Sequence, residues 1–171
     1  VGLHALRVNT TGANNTAIGF LTLDANTTAT GNTAVGQAAM GATTTGANNT
    51  AVGIGSLGAN VNGANNTAIG KEALNANTSG GNNTAGGFEA LTKNTTGESN
   101  TAFGRDALYN NTTADNNVAV GQSALNANTT GAFNTAMGFG SGIANTTGSG
   151  NVTLGFQCGD NTTTGDSNIS I

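Results

Sequence analysis

A glycine recurs at every seventeenth residue of this chain, at Gly2, Gly19, Gly36, Gly53, Gly70, Gly87, Gly104, Gly121, Gly138 and Gly155, without one insertion or deletion. Thirteen residues after each glycine stands an asparagine: Asn15, Asn32, Asn49, Asn66, Asn83, Asn100, Asn117, Asn134, Asn151 and Asn168. A fixed period near twenty residues marks a stacked repeat, in which each unit rests on its neighbours. A disordered chain has no reason to keep ten units in phase, because insertions into a flexible polymer cost almost nothing.

Composition closes off the other solutions. Of 171 residues, 28 are Gly, 28 Asn and 30 Thr, with no Pro and no Trp, so large side chains are too few for a conventional globular core. The Asn-Thr-Thr-Gly runs combine poor helix formers with a breaker. No heptad pattern exists, and glycine falls every seventeenth rather than every third residue, which excludes coiled coil and collagen. No apolar run is long enough to cross a bilayer as a helix. Four basic residues and a net charge of −4 leave no electrostatic footprint for nucleic acid.

Read from each glycine, the consensus is Gly-x-x-Ala-Leu-x-Ala-Asn-Thr-Thr-Gly-Ala-Asn-Asn-Thr-Ala-Ile/Val. Two apolar groups alternate with two polar turns. One group ends in the column Ile18, Val35, Val52, Ile69, Gly86, Phe103, Val120, Met137, Leu154, Ile171; the other carries Leu6, Leu23, Met40, Leu57, Leu74, Leu91, Leu108 and Leu125, then Gly142 and Gly159. In Asn15-Thr16-Ala17-Ile18-Gly19, strand alternation puts Thr16 and Ile18 on one face and Ala17 on the other. The spacing predicts an all-β fold, a parallel β-solenoid (β-roll or β-helix) of ten 17-residue coils forming one domain over residues 1–171. At the usual interstrand spacing it is a rod of roughly 48 Å. The Ile/Val and Leu columns are expected to share a thin core, which favours association with other chains.

The glycine column reads as a backbone requirement, either a left-handed conformation or a place too crowded for a Cβ. The asparagine column reads as a turn former and as a coil-to-coil amide ladder. The column after the glycine is Leu3, Phe20, Gln37, Ile54, Lys71, Phe88, Arg105, Gln122, Phe139 and Phe156. Six of its ten members are large and apolar, so it is expected to pack on a sister chain or on an adjacent face of the same coil. Val1 and Ile171 fall in one phase of the repeat, which predicts a segment of a longer fibre or polymer.

The run Asn14-Asn15-Thr16-Ala17-Ile18-Gly19 and copies such as Asn65-Asn66-Thr67-Ala68-Ile69-Gly70 resemble the Asn-Ser-Val-Ala-Ile-Gly signature of trimeric autotransporter adhesin heads. They are also similar to the Asn-Thr-Ala-Ile-Gly repeats of tail-fibre-like surface proteins. The resemblance covers all ten repeats, although this repeat is longer than the usual head repeat. It implies a parallel β-roll, self-association and a place outside the cell or on a cell or virion surface.

Candidates for chemistry are few. The single His4 sits in a variable turn column, and the single Cys158 stands where other repeats carry Ala or Ser. No nucleophile constellation, His/Cys cluster or phosphate loop appears, so no catalytic residue, cofactor or metal is expected. Glu72, Glu89 and Asp106 share one column on consecutive coils; with Lys71 and Arg105 beside them, a solvated, balanced patch is the better reading than a cation ladder. Asn9, Asn26, Asn77, Asn94, Asn111, Asn128 and Asn145 each begin an Asn-x-Ser/Thr acceptor triplet in one turn column, and are the candidate glycosylation sites. The threonine row Thr10, Thr27, Thr44, Thr78, Thr95, Thr112, Thr129, Thr146 and Thr163 is a candidate ice-binding array. Taken together, these features predict a non-enzymatic extracellular fibre or filament whose partner is itself, laterally or end to end. The alternatives are a host- or surface-binding adhesin or tail-fibre head and, after it, an ice-binding protein.

Overall fold

A computed structural model describes residues 2–171; Val1, whose phase matches that of Ile171, lies outside the described residues. Each repeat forms one short strand. In chain order these are β1 (Thr16–Ile18), β2 (Thr33–Val35), β3 (Thr50–Val52), β4 (Thr67–Ile69), β5 (Thr84–Gly86), β6 (Thr101–Phe103), β7 (Val118–Val120), β8 (Thr135–Met137), β9 (Val152–Leu154) and β10 (Ile169–Ser170). They make one ten-stranded sheet in sequence order, all parallel, so the chain is a β-solenoid of about nine full turns. Register is one repeat throughout, as in Thr50 opposite Thr67, Ala51 opposite Ala68 and Val52 opposite Ile69. Among the described residues there is no helix, and the rest of every coil is turns, bends and short links.

The invariant glycine ends each strand for two reasons that act together. From Gly19 to Gly155 its φ lies between 127° and 141°, where an L side chain is strained. A Cβ on Gly36 would also meet the carbonyl oxygen of Gly53, one coil on, at 2.5 Å. The second glycine column, at Gly46 and Gly63, is crowded as well but lacks that φ, and Ala29 and Ala114 replace it. Conformation therefore separates the column that admits only glycine from the one that admits alanine.

The core is not the one the sequence predicts. The strands bury their alanines, Ala34 through Ala136, and turn threonine and the Ile/Val column outward. Inside, those alanines meet the leucine column and a second alanine column that includes Ala73, Ala90 and Ala107. The leucines arrive from a turn rather than a strand. Leu23, Leu57, Leu74, Leu91, Leu108 and Leu125 all have φ near +50°, and their side chains are fully or almost fully buried. A left-handed residue with a Cβ costs about 1–2 kcal/mol, and full burial of a leucine contributes about 1.5–3 kcal/mol. The balance is helped by the backbone, since Leu57 donates its N–H to Ala73 at 3.0 Å and Leu74 to Ala90 at 3.0 Å. Where Gly142 and Gly159 replace leucine, the interior holds a cavity of about 20 Å³ bounded by Leu125 and Thr153.

Candidate functional site

Two asparagine ladders run along the rod, one of them unbroken from Asn15 to Asn168. In the invariant column each backbone N–H donates to the side-chain Oδ1 of the asparagine one coil before, from Asn32 on Asn15 at 2.9 Å to Asn168 on Asn151 at 2.9 Å. The carboxamide then donates to the turn of the next coil, as Asn49 Nδ2 does to the Gly63 carbonyl at 2.9 Å. A polar side chain thus replaces the strand bond just ahead of the sheet. Burial makes these bonds costly to lose, because water cannot substitute.

The second ladder contains the candidate glycan acceptors together with Asn60, and the closed coil turns most of them inward. Asn77 Nδ2 donates to Asn60 Oδ1 at 3.0 Å and to the Gly80 carbonyl at 2.9 Å; Asn94 donates to Asn77 and Gly97, both at 2.9 Å. Both hydrogens of the amide nitrogen are committed, and Asn26, Asn77, Asn94, Asn111, Asn128 and Asn145 are buried. An N-linked glycan needs one of those hydrogens and an open approach. Only Asn9 keeps an exposed side chain. The ladder breaks at Thr43 and Thr162, and the orphaned acceptors Asn26 Oδ1 and Asn145 Oδ1 lie one coil before those breaks.

The hydroxyls of the threonine row are likewise turned along the rod. Thr95 Oγ1 donates to the Thr112 carbonyl at 2.9 Å, and Thr129 to Thr146 at 3.0 Å, with the same step at Thr10, Thr27, Thr44, Thr78, Thr112 and Thr146. A hydroxyl has one hydrogen to donate, and here it is spent on the next coil.

One strip of the surface is rich in apolar side chains. The outward strand column and the column after the glycine lie either side of that glycine in each coil, and both are exposed: Ile18 with Phe20, Val52 with Ile54, Met137 with Phe139. Ile69 is 50% exposed and Phe156 74%. Within the stripe the rings stack from coil to coil, Phe139 on Phe156 at 5.4 Å between centroids. Phe103 lies over Gly86, where a Cβ would meet its ring at 2.5 Å. In the middle coils Lys71 and Arg105 flank the Phe88 ring from the two sides, 5.5 and 5.8 Å from its centroid. Sequence reasoning placed half of this stripe in the core. Volume was the signal against it, because a column that takes Gly86, Phe103 and Met137 is too uneven for a packed interior, whereas the alanine column stays small throughout.

The acidic column is dispersed. Glu72 pairs with Lys71 at 3.4 Å and Asp106 with Arg105 at 3.1 Å. Among the described residues no group of three or more His, Cys, Asp or Glu could hold a metal. His4 packs edge-on to Phe20, with centroids 6.2 Å apart, and Cys158 Sγ lies 3.4 Å from Ser170 Oγ. The Asp24 carboxylate, bonded to Arg7 Nε at 2.8 Å, raises that guanidinium above its ordinary pKa, by the hydrogen bond first and its charge second. Searches against protein families, curated proteins and solved structures match the chain to no family, protein or structure.

Proposed function

We propose that this chain is a shaft segment of an extracellular structural fibre, a stiff β-solenoid that associates with copies of itself through its apolar stripe. The supporting observation is the paired exposed columns, with Ile18, Phe20, Val52, Ile54, Ile69, Met137 and Phe139 lying along one side of the rod. Large contiguous apolar patches on soluble chains mark contact surfaces. A core of alanine, leucine and Met40 leaves the bulkiest side chains outside, and a second rod gives them cover.

Mechanics fits the same reading. Strand bonds, two amide ladders and threonine hydroxyls all run from coil to coil, so tension along the axis is shared by many parallel hydrogen bonds. The lone His4 and Cys158 stand nine coils apart, which supports a non-catalytic role. The resemblance of the Asn-Thr-Ala-Ile-Gly runs supports a cell or virion surface as the place of action.

Sedimentation velocity tests the proposal. The native chain is expected to run as an oligomer, and the triple variant Ile69→Ser, Met137→Ser, Phe139→Ser as a folded monomer with an unchanged far-ultraviolet spectrum. A native chain that stays monomeric at high concentration overturns lateral association.

A further inference from the structure

Eight of the twelve charged residues, and the single tyrosine, fall in the three coils between Gly70 and Gly121. On the turn side of these coils a shallow groove of about 300 Å³ is lined by Glu89, Arg105, Asp106, Tyr109, Asn110 and Asn126. The coil closes without the Tyr109 and Asn110 side chains. The columns of Tyr109 and Asn110 carry Gly41 and Ala42, then Gly58 and Ala59, in coils that close in the same way. Side chains the coil can close without have gathered with the charged ones into one concave patch.

We propose that this groove binds a neutral saccharide. Its walls offer donors and acceptors held in place before any ligand arrives. Asn110 Nδ2 donates to the Asn126 carbonyl at 2.9 Å, Asn126 Nδ2 to the Asp106 carbonyl at 3.1 Å, and Lys93 Nζ to Asn110 Oδ1 at 2.8 Å while lying 4.8 Å from the Tyr109 ring centroid. Asp106 Oδ2 accepts from Arg105 Nε at 3.1 Å, which leaves Asp106 Oδ1 and the guanidinium Nη donors for other partners. No hydrogen bond to the Glu89 carboxylate is present among the described residues. A carboxylate and a guanidinium are two-pronged groups and match vicinal hydroxyls, one accepting and the other donating. Tyr109 adds an apolar surface with a polar tip, suited to the C–H face of a sugar ring. Arg105 in the groove and Lys93 at its edge, bonded to Asn110, offset Glu89 and Asp106, so little net charge is left with which to select an anion or a cation.

The inference rests on the groove and not on the fibre reading, and its failure would leave that reading intact. The test is a titration of the isotope-labelled full chain with the methyl glycosides of glucose, galactose, mannose and N-acetylglucosamine, followed by amide and side-chain NMR shifts. At least one glycoside is expected to shift resonances of Glu89, Arg105, Tyr109, Asn110 and Asn126, with a Kd of about 1 mM for so open a site. Tyr109→Ala and Glu89→Gln should each weaken binding about tenfold or more, whereas Glu98→Gln, outside the groove, should not. Thermal melts report whether the variants fold, and Glu89→Gln decides the matter if Tyr109→Ala does not. No shift with any glycoside, shifts elsewhere on the rod, or a response to tetramethylammonium alone overturns the proposal.

Discussion

Thr43 occupies a place in the inner amide ladder that asparagine fills in most other coils, and the Oδ1 of Asn26, one coil before it, is left buried without a hydrogen bond. Thr43 Oγ1 is itself buried and unpaired. Replacing Thr43 with Asn restores the step seen between Asn60 and Asn77 at 3.0 Å. Thr43→Asn is expected to stabilise the chain by about 1–2 kcal/mol, a rise in Tm of about 2–8 °C for this chain length. Circular dichroism melts check it, and an unchanged or lower midpoint would mean the amide does not fit.

The converse change belongs in the middle of that ladder. Asn94 donates to Asn77 and to Gly97, and accepts from Asn111 at 2.9 Å. Asn94→Ala strands buried polar groups on both neighbouring coils and should cost about 2–4 kcal/mol, taking 1–3 kcal/mol for each group left unsatisfied. Asn9→Ala, at the exposed start of the same column, strands only the amide of Asn26 and should cost about 1 kcal/mol, well short of Asn94→Ala. Urea unfolding of the two variants gives the comparison.

Glycine substitutions should separate conformation from crowding. Gly36→Ala meets both a φ of 133° and the Gly53 carbonyl, and should cost about 3 kcal/mol or more. Gly46→Ala meets only crowding of a kind that Ala29 and Ala114 already withstand, and should cost less than half as much. Equal losses in denaturant unfolding would remove the left-handed backbone as the reason the first column never varies.

The leucine column invites an inverted ranking. Leu74 is fully buried at φ 52°. Leu74→Ala should cost about 2–5 kcal/mol in lost packing, and Leu74→Gly should be more stable than the alanine variant by about 1 kcal/mol, because glycine relieves the left-handed strain. In most buried sites alanine outranks glycine. Calorimetry of the three proteins decides, and the usual order here would show that the strain is relaxed by other means.

Glycan occupancy follows from the same ladders. Secreted through a glycosylating pathway, the folded chain is expected to carry no glycan at Asn26, Asn77, Asn94, Asn111, Asn128 or Asn145, whose amide nitrogens are committed inside. Asn9 and the exposed Asn14, Asn48, Asn65 and Asn82, each also heading an acceptor triplet, stay open. Glycopeptide mapping checks this, and a glycan on any of those six asparagines in folded material would contradict the buried ladder.

The repeat alone determined the stack. Ten glycines and ten asparagines in strict phase require neighbouring coils to present identical groups to one another, and only parallel, in-register stacking does so, as Thr50 opposite Thr67 and the step from Asn32 to Asn15 show. Even the two glycine columns could be ranked from which of them admits alanine. Tertiary structure decided which way each strand faces and what each turn conceals. Alternation states that Ala17 and Ile18 point to opposite sides, but it is symmetric and carries no sign. The sign came from closure of a seventeen-residue coil, whose interior is too narrow for both a valine column and a leucine column. Leucine enters from the left-handed turn, only alanine fits opposite it, and the Ile/Val column goes outside. The Asn-Thr-Thr turn had the same ambiguity. Its sequence suits a surface loop, yet in the closed coil its amides are the groups that satisfy one another inside.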